Sequence, residues 1–169
     1  MKMKKAVVLL LAGLTALLCA ASLKAQDPPP QGGFPNPLLT VNRSGKVVLT
    51  YSRWADQVKK GSYTLVSFWA SWSEECQTEA SFVQAVYQEF KGKGLVVLGV
   101  PYGDEITDSM EAMTEWGITY PQLVDVADDL AGPFDLDNVP YIVLLGPDGK
   151  VVAGGLLGEE IRKAVAACF

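Results

Sequence analysis

Two stretches of the chain are almost unbroken in apolar side chains, Tyr63 to Ala70 (YTLVSFWA) and Gly94 to Gly103 (GLVVLGVPYG). Runs of this length without a polar alternate predict strands buried on both faces of a sheet. Between them the apolar period lengthens. Cys76, Ala80, Val83 and Tyr87 share one helical stripe and Phe82, Val86 and Phe90 the next, so an amphipathic helix is predicted, with Ser73 as its cap. The KGKG punctuation, Lys91 to Gly94, stops it. A further helix runs from about Asp104 to Trp116 and ends at Gly117. A short helical stretch follows near Asp128 to Phe134. Residues 139–155, VPYIVLLGPDGKVVAGG, read as two strands hinged on Pro147-Asp148-Gly149, and a last helix covers Gly158 to Cys168. Ahead of the first buried strand, residues 38–51 (LLTVNRSGKVVLTY) predict a hairpin turning at Asn42 to Gly45, and residues 52–61 a short helix closed by Gly61. Strand, helix, strand, helix forces parallel pairing with right-handed crossovers.

The ends carry a different pattern. Lys2, Lys4 and Lys5 precede an apolar run from Ala6 to about Ala21 and then small residues, the layout of a secretory signal peptide covering residues 1–25. The run is roughly 16 residues, short of the roughly 20 that a membrane helix needs, so no stable span is expected after cleavage. The bulky Leu18 argues against a lipid anchor at Cys19. Residues 26–37, QDPPPQGGFPNP, place five prolines and two glycines in twelve positions, so an extended tether is expected there. The folded domain is expected over 38–169.

Charge and composition then exclude whole classes of chemistry. Of 14 basic residues four lie in the leader, so the exported chain would carry ten against 19 acidic, a net charge near −9. Nucleic acid is not an expected partner. Histidine is absent, which removes Ser-His and Cys-His nucleophiles and the commonest metal and haem ligand. Acidic groups such as Asp104, Glu105 and Asp108, or Asp125, Asp128 and Asp129, lack the spacing of a calcium loop and read as solvated helix starts. No metal and no cofactor is expected. Beyond the leader only Cys76 and Cys168 remain, too few for a disulfide scaffold in an oxidising compartment.

The eight residues WASWSEEC, Trp69 to Cys76, concentrate what chemistry is left. With the element order above, the Val139-Pro140 opening of the last hairpin and the GITYPQLVD and GPDGKVV stretches, they resemble the thioredoxin fold. Within it they resemble extracytoplasmic TlpA/ResA-type thiol-disulfide oxidoreductases, in the wider AhpC/TSA grouping that also holds peroxiredoxins. The resemblance implies an α/β domain with a central mixed sheet flanked by helices and an N-terminal β-hairpin extension. Against the W-C-x-x-C motif of active members, Trp72 matches the tryptophan, Ser73 stands at the attacking cysteine's position, and Cys76 matches the resolving cysteine. Pro140 matches a cis-proline that, with Trp72, Val139 and Tyr141, would form a groove for extended segments. Ser67 falls where a buried acid is usual.

Serine forms no disulfide, so dithiol cycling within the motif is closed. Three roles remain open for Cys76. It is a lone thiol able to form a mixed disulfide with an exported protein or a small thiol; or a small half-buried residue in a chain that only binds partners through the groove; or, since Glu79 follows Ser73-x-x-Cys76 as in peroxiredoxins, a peroxide-reducing thiol. The last needs a guanidinium beside the sulfur, and Arg43, Arg53 and Arg162 are not placed to supply it. Glu74 and Glu75 offset the helix dipole, so an ordinary or raised thiol pKa is expected. The last helix should start at the motif's end of the fold and carry Cys168 about 15 Å away, out of disulfide reach, so Cys168 is expected either as a free thiol at a frayed helix end or as the link of a dimer.

Overall fold

The computed structural model describes residues 35–58, 60–127 and 129–169; the expected leader, Cys19 and most of the expected tether lie outside that set. Strands β1 (Asn36–Val41) and β2 (Val47–Ser52) form the predicted hairpin. Asn42 closes it, its side-chain oxygen accepting from the Ser44 and Lys46 amides as an Asx turn does. β1 opens at Asn36, two residues inside the segment expected as tether. The helix expected over 52–61 shrinks to one turn, α1 (Trp54–Gln57), whose purpose is the buried Trp54.

β3 (Thr64–Trp69) and β4 (Val96–Pro101) are the two apolar runs, paired in parallel at the centre of a seven-stranded sheet ordered β2-β1-β5-β4-β3-β6-β7. β5 (Gln122–Leu123) was not foreseen. It is two residues long, and its sequence signal is drowned by the flanking Pro121 and the acidic turn after it. Yet it is the seam of the molecule: it pairs in parallel with β4 and antiparallel with β1, and so joins the hairpin to the central sheet. β6 (Tyr141–Leu145) and β7 (Val151–Gly154) complete the other edge, antiparallel to β3 and to each other.

α2 (Glu74–Phe90) lies where the stripe placed it and passes through a 3-10 turn (Lys91–Lys93) into Gly94, whose left-handed φ of 100° ends it. α3 (Ile106–Glu115) and α4 (Glu159–Ala166) are each shorter than expected by a few terminal residues, where ends fray. The stretch near 128–134 condenses to a 3-10 turn at Gly132–Phe134. Side-chain alternation along β3 sorts the core. Leu65 and Trp69 face α2, α3 and α4, while Val66 and Phe68 face Trp54, Leu130 and Phe134. The expected architecture, a mixed sheet flanked by helices with a hairpin extension, is the observed one.

Gly99 marks the tightest point at the centre of this sheet. A Cβ there would collide with the Gln122 side chain, which is fully buried and accepts a 2.7 Å hydrogen bond from Trp69 Nε1. Gly99→Ala should therefore lower unfolding stability by about 2 kcal/mol, read as a lower urea midpoint at unchanged slope, and Gln122→Ala in the same chain should recover part of the loss.

Candidate functional site

β3 ends at Trp69 and α2 begins five residues later, so the intervening loop sets the geometry of the first helical turn. Ser73 has extended backbone, φ −102° and ψ 118°, and its hydroxyl oxygen accepts from the Cys76 amide at 3.3 Å. The same hydroxyl donates to a Glu75 carboxylate oxygen at 3.2 Å. Ser73 is thus a satisfied N-cap, worth about 1 kcal/mol, and Cys76 is the third residue of the helix. Cys76 is 1% exposed.

Burial is the largest influence on that thiol and pushes its pKa up. The Ser73 hydroxyl and a hydrogen bond from the Ala70 backbone pull it down, and the Glu75 and Asp104 carboxylates push it up again. The direction expected from the sequence holds, but its source differs. Desolvation dominates, and the second carboxylate is Asp104 where Glu74 was expected. Asp104 is no solvated helix start. It accepts from the Ser71 amide at 2.9 Å, the Ser71 hydroxyl at 2.7 Å and the Ser109 hydroxyl at 3.0 Å, tying the loop before α2 to α3. Asp125 likewise turns inward, accepting from the amides of Asp129, Leu130 and Ala131.

Behind the thiol lies a set of neutral buried polar groups. Tyr120 is fully buried, and its phenol hydrogen-bonds with Ser67 and Gln122. Burial first, and then the neighbouring Cys76, hold that phenol well above its usual pKa, so it remains protonated. Gln122 also donates to the Tyr120 carbonyl at 2.9 Å and accepts from Trp69 Nε1. Where an acid was missed at Ser67, the chain supplies hydroxyls and an amide. Tyr120 and Gln122 escaped sequence reading because they sit on either side of Pro121, next to the unforeseen β5.

In front of the thiol is an open recess of about 740 Å³, lined by Trp72, Ser73, Glu74, Tyr102, Asp137 and Val139 among others. Trp72 is 68% exposed, with its indole N–H donating to the Gly103 carbonyl at 3.2 Å. The Val139-Pro140 peptide is cis, as the resemblance implied. Pro140 and Tyr141 line a neighbouring recess of about 300 Å³, where Asn138 borders both, and the Tyr141 ring lies 6.5 Å from that of Phe68. The four groove residues named from the sequence therefore divide two and two across adjoining hollows.

The remaining candidates lie apart from the sulfur. Glu79 accepts from the Gly158 amide at 2.7 Å and so caps the start of α4. Arg162 donates twice to Glu89, at 2.8 and 2.9 Å. These two contacts orient α4 parallel to α2, leading away from Cys76. Phe169 packs against Phe90 with tilted rings, centroids 5.7 Å apart, and Phe90 is 14 residues along α2 from Cys76, about 21 Å. Cys168 belongs to that far end, with its thiol 3.6 Å from the Ala164 carbonyl. Among the described residues both cysteines, Cys76 and Cys168, are free.

A capped helix start and a cis-proline on a sheet of this order define a thioredoxin-fold protein. A family model described as the AhpC/TSA family matches residues 42–153. The chain belongs to that family, and within it to the TlpA/ResA-type thioredoxin-like proteins. It is 28% identical over 93 residues to the thiol-disulfide oxidoreductase ResA of Bacillus subtilis (strain 168), covering 55% of this chain and 52% of that one. It is 23% identical over 104 residues to ResA of Bacillus anthracis, with 62% and 60% covered. The match thus spans between half and three-fifths of these curated relatives. Among solved structures, the thioredoxin domain of a thiol-disulfide oxidoreductase from Bacteroides vulgatus superposes with a TM-score of 0.66 at 26% identity, covering 87% of this chain and 99% of that one. A thiol:disulfide interchange protein from Bacteroides sp. gives 0.62 at 28% identity, with 80% and 88% covered.

Two substitutions should move the Cys76 thiol in opposite directions. Ser73→Ala removes a hydrogen bond that lowers its pKa and should raise it further, with about 1 kcal/mol of stability lost with the cap; Asp104→Asn removes a like charge and should lower it. Alkylation rate against pH, read at Cys76 by peptide mass, checks both. Because the folded state holds this thiol above its ordinary value of 9.0, the unfolded chain releases the proton first, and stability should fall as pH rises from about 9. Cys76→Ala should make that slope shallower than in the parent, and the loss that remains belongs to the phenols of Tyr120 and Tyr141, which burial also holds above their usual value.

Proposed function

We propose that this chain is an exported thioredoxin-like protein confined to one-thiol chemistry at Cys76. Export rests on the charged, apolar, then small-residue opening of the sequence. The observation that carries the chemical reading is that a hydroxyl, Ser73, occupies the cap three residues before the buried sulfur, while the other thiol sits at the opposite end of the fold. The Cys76 thiolate attacks a partner disulfide, one Cys76–sulfur bond forms, the partner's sulfur–sulfur bond breaks, and the second partner sulfur leaves as thiolate. Among the described residues no second cysteine stands near enough to displace the adduct, so release needs an external thiol. The relatives named as oxidoreductases support the reaction class.

A second reading, a non-catalytic holder of extended segments, is favoured by the near-complete burial of Cys76 and its raised pKa, both of which suppress nucleophilicity. The open hollow at Trp72 and Val139 survives in either case. Peroxide reduction needs a guanidinium beside the sulfur, and Arg162 is instead engaged by Glu89, about three and a half turns further along α2.

Incubation with a peptide disulfide separates the two. The one-thiol reading expects a single adduct, mapped to Cys76, accumulating without turnover in an insulin-reduction assay and absent from Cys76→Ala. Multiple turnovers by the unaltered chain would sink that reading, and an unmodified Cys76 after prolonged exposure would leave the holder. Ser73→Cys should introduce turnover at least about tenfold above the parent, since a resolving pair is then three residues apart.

A further inference from the structure

The hollow in front of Cys76 continues past Trp72. On the other side of the indole lies a second recess of about 480 Å³, bordered by Gly103, Glu105, Ile106, Asp108 and Val126. Trp72 lines both, and its N–H is anchored to Gly103, so a largely exposed aromatic plate stands fixed between two hollows. Apolar surface accompanies it on each side, from Val139 and Tyr102 in one and from Ile106 and the exposed Val126 in the other.

The charged groups along this track have one sign. Glu74, Glu75 and Asp137 border the first recess and Glu105 and Asp108 the second, and no lysine or arginine lines either. Asp104 and Asp125 are consumed by internal hydrogen bonds, and Glu75 accepts from Ser73. Glu74, Asp137 and Glu105 are exposed and pair with no cation among the described residues. Elsewhere on the surface Glu89 has Arg162 and Asp148 has Lys150. Uncompensated charge of one sign in a cleft attracts the opposite sign and repels its own. An exposed indole flanked by carboxylates is a stacking site for a guanidinium or ammonium.

We propose that the two recesses form one docking groove for an extended, basic segment of another polypeptide, with an arginine or lysine stacked on Trp72 and flanking cations met by Glu74, Asp137 and Glu105. This rests on reading the Trp72 hollow as the partner-binding face and adds what it selects: basic segments over neutral ones, and neutral over acidic ones.

Short labelled peptides of one sequence, carrying arginine, glutamine or glutamate at the same positions, test this by fluorescence anisotropy. The arginine form should bind about tenfold more tightly than the glutamine form, and the glutamate form most weakly. The order should collapse at high salt and in a Glu74→Gln, Asp137→Asn, Glu105→Gln variant. Trp72→Ala should weaken the arginine form most, while Glu115→Gln, an exposed acid outside both recesses, should change nothing. Equal binding of the arginine and glutamine forms, no binding by any form, or a preference that survives the triple variant overturns the proposal. The same peptides as mixed disulfides keep the two conclusions separable. Adducts at Cys76 formed equally fast with all three forms leave the one-thiol reading standing and remove charge selection. Arginine-selective binding without any adduct does the reverse.

Discussion

One hydrogen bond organises this pole of the molecule: the Cys76 amide donating to the Ser73 hydroxyl. It satisfies an amide that the helix itself cannot satisfy, fixes where α2 begins, and by that fixes the height at which the Cys76 sulfur sits below the surface. A thiol at the Ser73 position would present a reactive group there. The hydroxyl instead gives a good cap, with Glu75 gathered against it, and the local physics favours a stable helix start over an activated nucleophile.

The surroundings reinforce that choice. Asp104 locks the loop by three hydrogen bonds and places a negative charge toward the thiol; Tyr120, Ser67 and Gln122 supply neutral partners behind it. Fully paired neutral groups in a low-dielectric interior hold a definite arrangement without a mobile proton near neutral pH. The sulfur is therefore insulated on one side by burial and on the other by a capped loop, while the outer hollow stays open. An open recess and an enclosed sulfur thus lie side by side.

Much of the frame was legible in the sequence because its signals are long and periodic. The two apolar runs, the α2 stripe, the hairpin turn at Asn42 and the turn at Pro147-Asp148-Gly149 each declare themselves locally. So did the cap at Ser73 and the cis peptide before Pro140, the latter through resemblance. Features that depend on distant residues did not. β5 is two residues long and exists only because β4 and β1 flank it. Asp104, Tyr120 and Gln122 are polar side chains whose burial is set by partners 33 to 53 residues away. A spacing rule has no access to such pairs, so Asp104 read as solvent-facing and the Tyr120 network was invisible.

The half-buried Cys168, its thiol resting against a helix carbonyl at the far end of α4, has a practical corollary. A chromogenic reagent that counts free sulfhydryls will register this peripheral group ahead of the enclosed one, so the first kinetic phase of such a titration describes the wrong end of the protein. Conversely, a spin probe or dye placed there sits a long way from the indole plate and can report tumbling or assembly while leaving the front hollow untouched.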